Sequence, residues 1–300
     1  MARLSHLEVL YGKMEGTDGR FTRDPTGFLG IDAGIFHRRG LDVTYRYLQS
    51  TEERYREIEK GSANISLVVG RMALRHFLAT GKSRLIGCSM NSCPYRLVAE
   101  PGIQATRDLR GKSVACRENI ARSSPLPQAL HEKGGLKLNQ DVDLKLPPTD
   151  KDALDMLHSG KVQAALLTQI HGLAAEEKGF LRISDWPPVV DDPLPLVLET
   201  TEDQFKEKRQ DLAAFVEAYR ETIVYLKNNR SKTIEMLRAT FGQSELVAEN
   251  FYEDCASCLS DPPKVDMQQL AKLVAAEAPN RPGGAKQVAS EWIVPGALKS

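Results

Sequence analysis

The chain has 300 residues, 41% of them hydrophobic and 27% charged, and its 40 basic and 40 acidic side chains cancel to no net charge. That length and balance suit a soluble globular protein of two domains, and the cancelled charge removes the general electrostatic case for nucleic acid or an anionic membrane surface. No apolar run approaches the roughly eighteen residues a membrane-spanning helix needs, so no direct membrane insertion is expected.

Taken in order, residues 7–11 read as a short apolar strand ending at Gly12, followed by a long polar loop over 13–27. Residues 28–36 read as one helix, stopped by His37, Arg38, Arg39 and Gly40 in the usual order of basic residues and then glycine. Residues 41–48 alternate and form a strand. Ser50 and Thr51 cap a polar helix that ends at Gly61, residues 64–69 form a buried strand, and Gly70 and Arg71 open an apolar helix to Ala79. Residues 84–88 are the last strand of this first α/β lobe.

Residues 91–119 hold a crossing strand at 95–99, a turn at Glu100, Pro101 and Gly102, and a new buried strand at 113–116. A second lobe of the same scheme follows. Ser123, Ser124 and Pro125 start a helix, residues 143–146 form a strand, and Thr149 and Asp150 cap a helix that ends at Gly160. Residues 162–167 form a buried strand, Thr168 and Gln169 begin a helix, and 179–183 close the lobe. The stretches around Gly61–Asn64 and Gly160–Gln163 share one pattern, in which a helix stops at glycine, a polar residue follows three positions on and a buried strand begins. Residues 191–198 read as a second extended crossing because of their prolines. Beyond them the chain turns helical, with Leu212, Phe215, Val216, Tyr219, Ile223 and Leu226 in one stripe. The expected domains are 1–92 for the first lobe, 93–192 for the second, and 193–300 for a return to the first lobe with C-terminal helices.

The five cysteines are Cys88, Cys93, Cys116, Cys255 and Cys258. Only Cys255 and Cys258 have a metal-like spacing, and no second pair or His pair accompanies them. At i and i+3 they share a helix face. The six histidines show no ligand spacing, so neither a metal nor a cofactor is expected. The first residues lack an apolar signal core, which implies a cytoplasmic protein if the chain is complete and an exported one if a leader was trimmed.

Three phrases carry a family resemblance: residues 28–48, with a helix ending before Gly40-Leu41-Asp42-Val43; residues 92–114, Ser-Cys-Pro-Tyr-Arg-Leu-Val-Ala-Glu-Pro-Gly-Ile through Asp108-Leu109-Arg110-Gly111-Lys112-Ser113-Val114; and residues 160–167, beginning Gly-Lys-Val-Gln-Ala-Ala. The chain resembles the type II solute-binding proteins of ABC importers, in the nitrate/sulfonate/taurine and thiamin-pyrimidine-precursor branch, over about residues 7–260. The resemblance implies an α/β fold of two periplasmic-binding-protein-like lobes, each an open, mainly parallel sheet flanked by helices, joined by two crossing hinge strands and followed by a helical C-terminal region. It also implies a periplasmic location, a monomer, a small-molecule ligand held in an interlobe cleft by hinge closure, and an ABC permease as partner. Where the family has an acidic residue before each third strand, this chain has Asn64 and Gln163.

Ligands of open α/β sheets gather beyond the carboxyl ends of the strands. The positions there are Gly12, Arg20, Thr51, Gly70, Arg71 and Asn91 in the first lobe, and Arg117, Asn119, Ser123, Ser124, Thr168 and Gln169 in the second. Helix N-termini and arginines at these loops favour an anionic organic solute. The alternative readings are an enzyme on the same scaffold, desulfinase-like or pyrimidine-synthase-like, and a cytoplasmic ligand-sensing module. A catalytic site would use Cys88 or Cys116 as nucleophile, His37 or His76 as base, and Arg71 or Arg117 to stabilise charge. The synthase type's cysteine-rich run is absent from the sequence, and binding without chemistry is the expectation.

Overall fold

The computed structural model describes residues 4–12, 24–118, 126–186 and 193–297. The chain divides into two units: Met1–Ser92, Pro193–Glu245 and Cys258–Ser300 make the first, and Cys93–Asp192 with Leu246–Ser257 make the second. Each unit is an α/β assembly on one five-stranded mixed sheet.

In the first unit β1 (Ser5–Gly12), β2 (Leu41–Leu48), β3 (Ile65–Val68), β4 (Ser83–Met90) and β10 (Leu196–Thr201) pair in the order β2-β1-β3-β10-β4. β1 runs parallel to β2 and β3. β10 is antiparallel to β3 and β4. The segment whose prolines read as a crossing thus enters the middle of the sheet, and all six residues of β10 are buried. The sequence predicts a single helix over 28–36. The structure breaks it into α1 (Thr26–Asp32) and α2 (Ile35–Arg38), because Gly34 takes a left-handed φ of 67° that only glycine adopts freely. α3 (Thr51–Glu59) and α4 (Gly70–Thr80) follow their strands, with Ser50 capping α3 by accepting a bond from the Glu53 amide.

The second unit has the order β7-β6-β8-β5-β9, from β5 (Tyr95–Ala99), β6 (Ser113–Cys116), β7 (Asp143–Lys145), β8 (Ala164–Thr168) and β9 (Leu181–Arg182). Here β5 is the antiparallel strand. Its pleat sends Leu97 into one core, with Val114, Leu130, Leu166 and Trp186, and Val98 into another, with Ala115, Leu154, Leu157 and Leu167. α5 (Leu126–Gly134), α6 (Asp150–His158) and α7 (Gln169–Glu177) cover the sheet.

The repeat legible in the sequence has a structural basis. Asn64 precedes β3 and pairs doubly with Glu8 of β1: its Oδ1 accepts from the Glu8 amide at 2.9 Å and its own amide donates to the Glu8 carbonyl at 2.9 Å. Gln163 precedes β8 and does the same to Ser113 of β6, with both bonds at 3.0 Å. These amide side chains set the register of the third strand against the first in both units.

The C-terminal helices are α8 (Glu202–Glu207), α9 (Arg209–Asn228), α10 (Arg230–Phe241), α11 (Glu245–Cys258), α12 (Met267–Glu277) and α13 (Gly284–Trp292). The apolar stripe of α9 is buried except for half-buried Val216, and its Phe215 stacks on Phe36 of α2 with ring centroids 5.2 Å apart. Most of α11 belongs to the second unit. Arg96 of β5, only 1% exposed, fixes it there: Nε donates to Asp254 of α11 at 3.0 Å, and Nη1 donates to both carboxylate oxygens of Glu176 of α7 at 2.7 Å. Gly172 makes room, since a Cβ there would stand 2.6 Å from the Arg96 Cβ. Burial alone would depress the Arg96 pKa, but the two carboxylates raise it above the ordinary arginine value. Removing one partner of such a group leaves an uncompensated buried charge, so Asp254→Ala should lower unfolding stability by about 3–5 kcal/mol in denaturant titration, more than Asp254→Asn.

A second buried network ties the first unit together. The His76 imidazole sits between Glu199 (Nδ1 to Oε1, 2.9 Å) and Glu59 (Nε2 to Oε1, 2.8 Å) and stacks on the Tyr55 ring with centroids 3.9 Å apart. Ser83 donates to Glu199 and accepts from the Trp292 indole at 3.0 Å, which anchors α13. Burial opposes the charged imidazole, but the bonds to and charges of Glu199 and Glu59 prevail and raise the His76 pKa above its ordinary 6.5. A raised native pKa stabilises the fold fully below the unfolded value and loses that contribution as pH rises through the native one. Unfolding stability should therefore fall from about pH 6.5 upward, and His76→Gln should flatten that part of the urea-stability profile.

Candidate functional site

In the first unit the carboxyl ends of β1 and β3 meet the start of α3. Ser50 supplies the helix cap, which leaves the Thr51 hydroxyl to accept from Arg54 Nη2 at 2.9 Å, while Nη1 donates to the Leu67 carbonyl at 2.6 Å. The guanidinium lies over Gly12, where a Cβ would come within 3.3 Å of it. Arg54 is 8% exposed, its Nε has no hydrogen-bond partner, and among the described residues no carboxylate lies within 4.0 Å of it. Burial lowers its pKa below the ordinary arginine value. A buried cation without a carboxylate in ion-pair contact is costly. Two predicted residues, Gly12 and Thr51, are thus gathered around Arg54, which sequence reading misses because residues 51–59 look like an ordinary solvated helix.

The same end of the sheet carries an aromatic wall. The register places Tyr11 beside Tyr47, and Phe28 of α1 stacks on Tyr47 at 6.0 Å and 9° and lies 4.8 Å from Tyr45. Phe28, Tyr45 and Tyr47 are half-buried. Gly27 allows this packing, since a Cβ there would collide with the Tyr45 hydroxyl. Next to the wall, fully buried Asp24 accepts from the Tyr219 hydroxyl and, at 2.8 Å, from the Thr26 amide; burial raises its pKa.

The other first-unit candidates are engaged within the unit. Gly70 donates its amide to the Leu194 carbonyl, and a Cβ on it would meet that carbonyl at 2.5 Å. Arg71 pairs with Glu277 of α12 at 3.6 Å. Asn91 donates its amide to the Cys258 carbonyl and its Nδ2 to Ser260 at 2.8 Å. Arg20, Asn119, Ser123 and Ser124 lie outside the described residues.

In the second unit Arg117, Thr168 and Gln169 stand at the ends of β6 and β8. Thr168 precedes α7 but does not cap it. Its hydroxyl donates instead to Asp150 Oδ2 at 2.7 Å and lies 3.2 Å from His171 Nδ1. Arg117 Nε is 3.8 Å from Asp150 Oδ1. Gln169 donates Nε2 to the Phe251 carbonyl of α11 at 3.2 Å. Asp150 and His171 are additions to the predicted set, since in the sequence Asp150 reads only as part of a helix cap.

The residues of the catalytic alternative are placed unfavourably for it. His76 is committed to two carboxylates, and His37 is exposed on α2. Cys88 is fully buried with its thiol toward the Met90 carbonyl at 3.0 Å. Burial and the Asp150 charge, opposed by Arg117, push the Cys116 thiol up to about 12. Among the described residues no group of His, Cys, Asp or Glu is placed to hold a metal, and no helix is long and apolar enough to cross a membrane.

The NMT1/THI5-like family profile matches residues 27–232. The chain belongs to that family. Its fold is that of the periplasmic aliphatic sulphonate-binding protein of Escherichia coli, with TM-score 0.66 at 16% identity over 98% of this chain and 94% of that one. It is also that of the alkanesulfonate-binding protein of Xanthomonas axonopodis pv. citri bound to MOPS, with TM-score 0.64 at 14% identity over 98% and 100%. A Candida albicans protein described as having the generic periplasmic binding protein fold matches with TM-score 0.66 at 10% identity over 99% and 98%. No curated protein matches the sequence. The α/β fold expected from the sequence, with one sheet in each unit, is shared with these solved structures, and the antiparallel strand takes the same position in both sheets.

A thiol at about 12 is protonated throughout the neutral range, and all five cysteines are buried. Native protein at pH 8 should leave Cys116 unmodified by iodoacetamide in peptide mass spectrometry, whereas the urea-unfolded chain should be alkylated there.

Proposed function

We propose that the protein binds a small organic anion without altering it, and that Arg54 receives the anionic group at the carboxyl ends of β1 and β3, with Gly12 and Thr51 beside it. The observation that carries this reading is the buried Arg54 guanidinium with a vacant Nε–H donor and no carboxylate within ion-pair distance among the described residues. An anion there would restore the missing charge through charge-assisted hydrogen bonds, as sulfonates and carboxylates do with arginine. The half-buried faces of Phe28, Tyr45 and Tyr47 suit the organic part of such a solute. The sulfonate-binding proteins that share the fold support the class of ligand. By the same likeness, we assign the protein the role of substrate-binding component of an ABC-type importer, working in the periplasm with a membrane permease as its partner. The high Cys116 pKa and the engaged His76 favour binding over covalent chemistry.

A thermal-shift and calorimetric screen of alkyl sulfonates, carboxylates, phosphonates and nitrate tests the proposal, with mass spectrometry on each ligand recovered. A ligand at a hundred times its dissociation constant should add about 2.7 kcal/mol of stability. Arg54→Ala should weaken the best ligand by roughly ten- to a hundredfold, the range for a hydrogen bond to a charged group. Arg54→Lys, which keeps the charge, should lose less. Circular dichroism establishes that both variants are folded. Unchanged affinity in both would remove Arg54 from the site, and recovery of a new product would replace binding with catalysis.

A further inference from the structure

The two buried polar networks of the first unit adjoin each other. Arg54 is anchored on the Leu67 carbonyl of β3 at 2.6 Å. In the antiparallel pairing of β3 with β10, Leu67 stands opposite Leu198, and the next pair along is Ser66 with Glu199. Tyr55, the residue after Arg54 on α3, stacks on the His76 imidazole, whose Nδ1 is bonded to Glu199 at 2.9 Å. Glu199 thus lies beyond ion-pair distance of the Arg54 guanidinium but within reach of its charge. Arg54, His76 and Glu199 are all buried, so salt and water screen that interaction little. One Glu199 oxygen, Oε1, takes the bonds of His76 and Ser83, whereas Oε2 is shielded from water and has no hydrogen-bond partner among the described residues. Arg54 Nε is in the same condition. Burial lowers the Arg54 pKa, and the charges of Tyr55, Glu199 and Glu52 oppose that effect.

Each element packed around His76 presents its own charged groups. On α3, Glu59 is bonded to His76 Nε2 at 2.8 Å and is about one-third exposed, and burial with the Glu199 charge pushes the Tyr55 hydroxyl far above its ordinary range. On β10 the carboxylate is Glu199, and on β4 Arg84 pairs with Glu202 at 2.5 Å. On α12, Glu277 is held by Arg71 and Arg75 of α4 itself. On α13, Glu291 pairs with Arg281, while Lys272 of α12 and Lys286 of α13 are exposed. Among these groups His76 is the one whose ordinary titration falls near neutral pH, and Glu59 gives its proton a path to solvent.

We infer that the anion site is gated by pH: charged His76 strengthens the hold of Arg54 on an anion, and neutral His76 weakens it, with Glu199 as intermediary. Such gating presupposes that Arg54 receives the anion, as proposed above. While the imidazolium answers Glu199, Arg54 keeps its deficit of negative charge, which an incoming anion fills. Once the proton leaves, the cluster gains one unit of negative charge. Glu199 then compensates Arg54 from its fixed place and repels the anion that competes for the same cation. Binding is tightest on the acid side, and by linkage a bound anion favours the charged imidazole by the same factor.

The test titrates methanesulfonate into the full ¹⁵N-labelled chain in sulfonate-free buffers, following the amide shifts of α3 over a series of pH values. The affinity should fall by about three- to tenfold as pH rises through the titration of His76. By reciprocity, saturating methanesulfonate should raise the titration midpoint of the His76 ring protons by about half a unit to one unit. Arg54→Gln removes a neighbouring cation and should raise that midpoint in the ligand-free protein. His76→Gln identifies the ring resonance and should hold the anion at the weaker, alkaline affinity at every pH. If that variant does not fold, the ring titration of the unaltered chain and of Arg54→Gln carries the test. One affinity at every pH with an unmoved midpoint would overturn the gating and leave Arg54 as the anion site. Absence of binding at every pH, by methanesulfonate and by the other anions screened, would overturn the anion reading and the gating together.

Discussion

A guanidinium withdrawn from water must find its compensating charge somewhere, and this requirement organises both units. Arg96 finds it inside the protein: Glu176 and Asp254 close on it from α7 and α11, and every consequence is structural. Arg54 does not. It has a carbonyl, a hydroxyl and the flat surface over Gly12 to hold it in place, and the charges of Glu199 and Glu52 act on it only from beyond ion-pair distance. One residue type thus serves as a rivet in one unit and as an open terminal in the other. The difference lies entirely in what the neighbouring elements present.

The units themselves are variations on one plan. Strand order maps one sheet onto the other position by position, with β1, β2, β3, β4 and β10 answering to β6, β7, β8, β9 and β5. Asn64 and Gln163 occupy equivalent places and make equivalent pairs of bonds, so a neutral amide does in both units what the resemblance leads one to expect of an acid. An amide can accept and donate, and Asn64 uses both capacities, reaching Gln204 through Nδ2 at 2.6 Å. An acid could not make that second bond in its charged form.

What was legible in the sequence was local. Apolar runs, glycine stops and caps marked most strands and helices, and the motif around 92–114 pointed to the family. What was hidden was decided by contacts distant in the chain. The place of β10 between β3 and β4, and the attachment of α11 to the second sheet, depend on partners more than a hundred residues away. The break at Gly34 was hidden by the apolar residues on both sides of it. Of the predicted site residues, Gly12 and Thr51 gather at one place and Arg117 and Thr168 at another, whereas Gly70, Arg71 and Asn91 serve packing within the first unit. Arg54 and Asp150 escaped notice because a charged residue near a helix start looks solvated until its burial is known.

The attachment of α11 also bears on how the protein is made. The second unit is not a continuous stretch: its sheet ends by residue 182, but Asp254, one of the two carboxylates that answer Arg96, arrives much later in the chain. On a ribosome, β5 is synthesised with its cation unanswered on that side while about seventy further residues emerge, among them the strand that completes the first sheet. Each unit is therefore built from separate stretches of chain, and neither can be lifted out by cutting the chain at its two ends. In evolutionary terms this couples the two halves of an apparent duplication: either could diverge in its loops, but neither could be exchanged as a cassette.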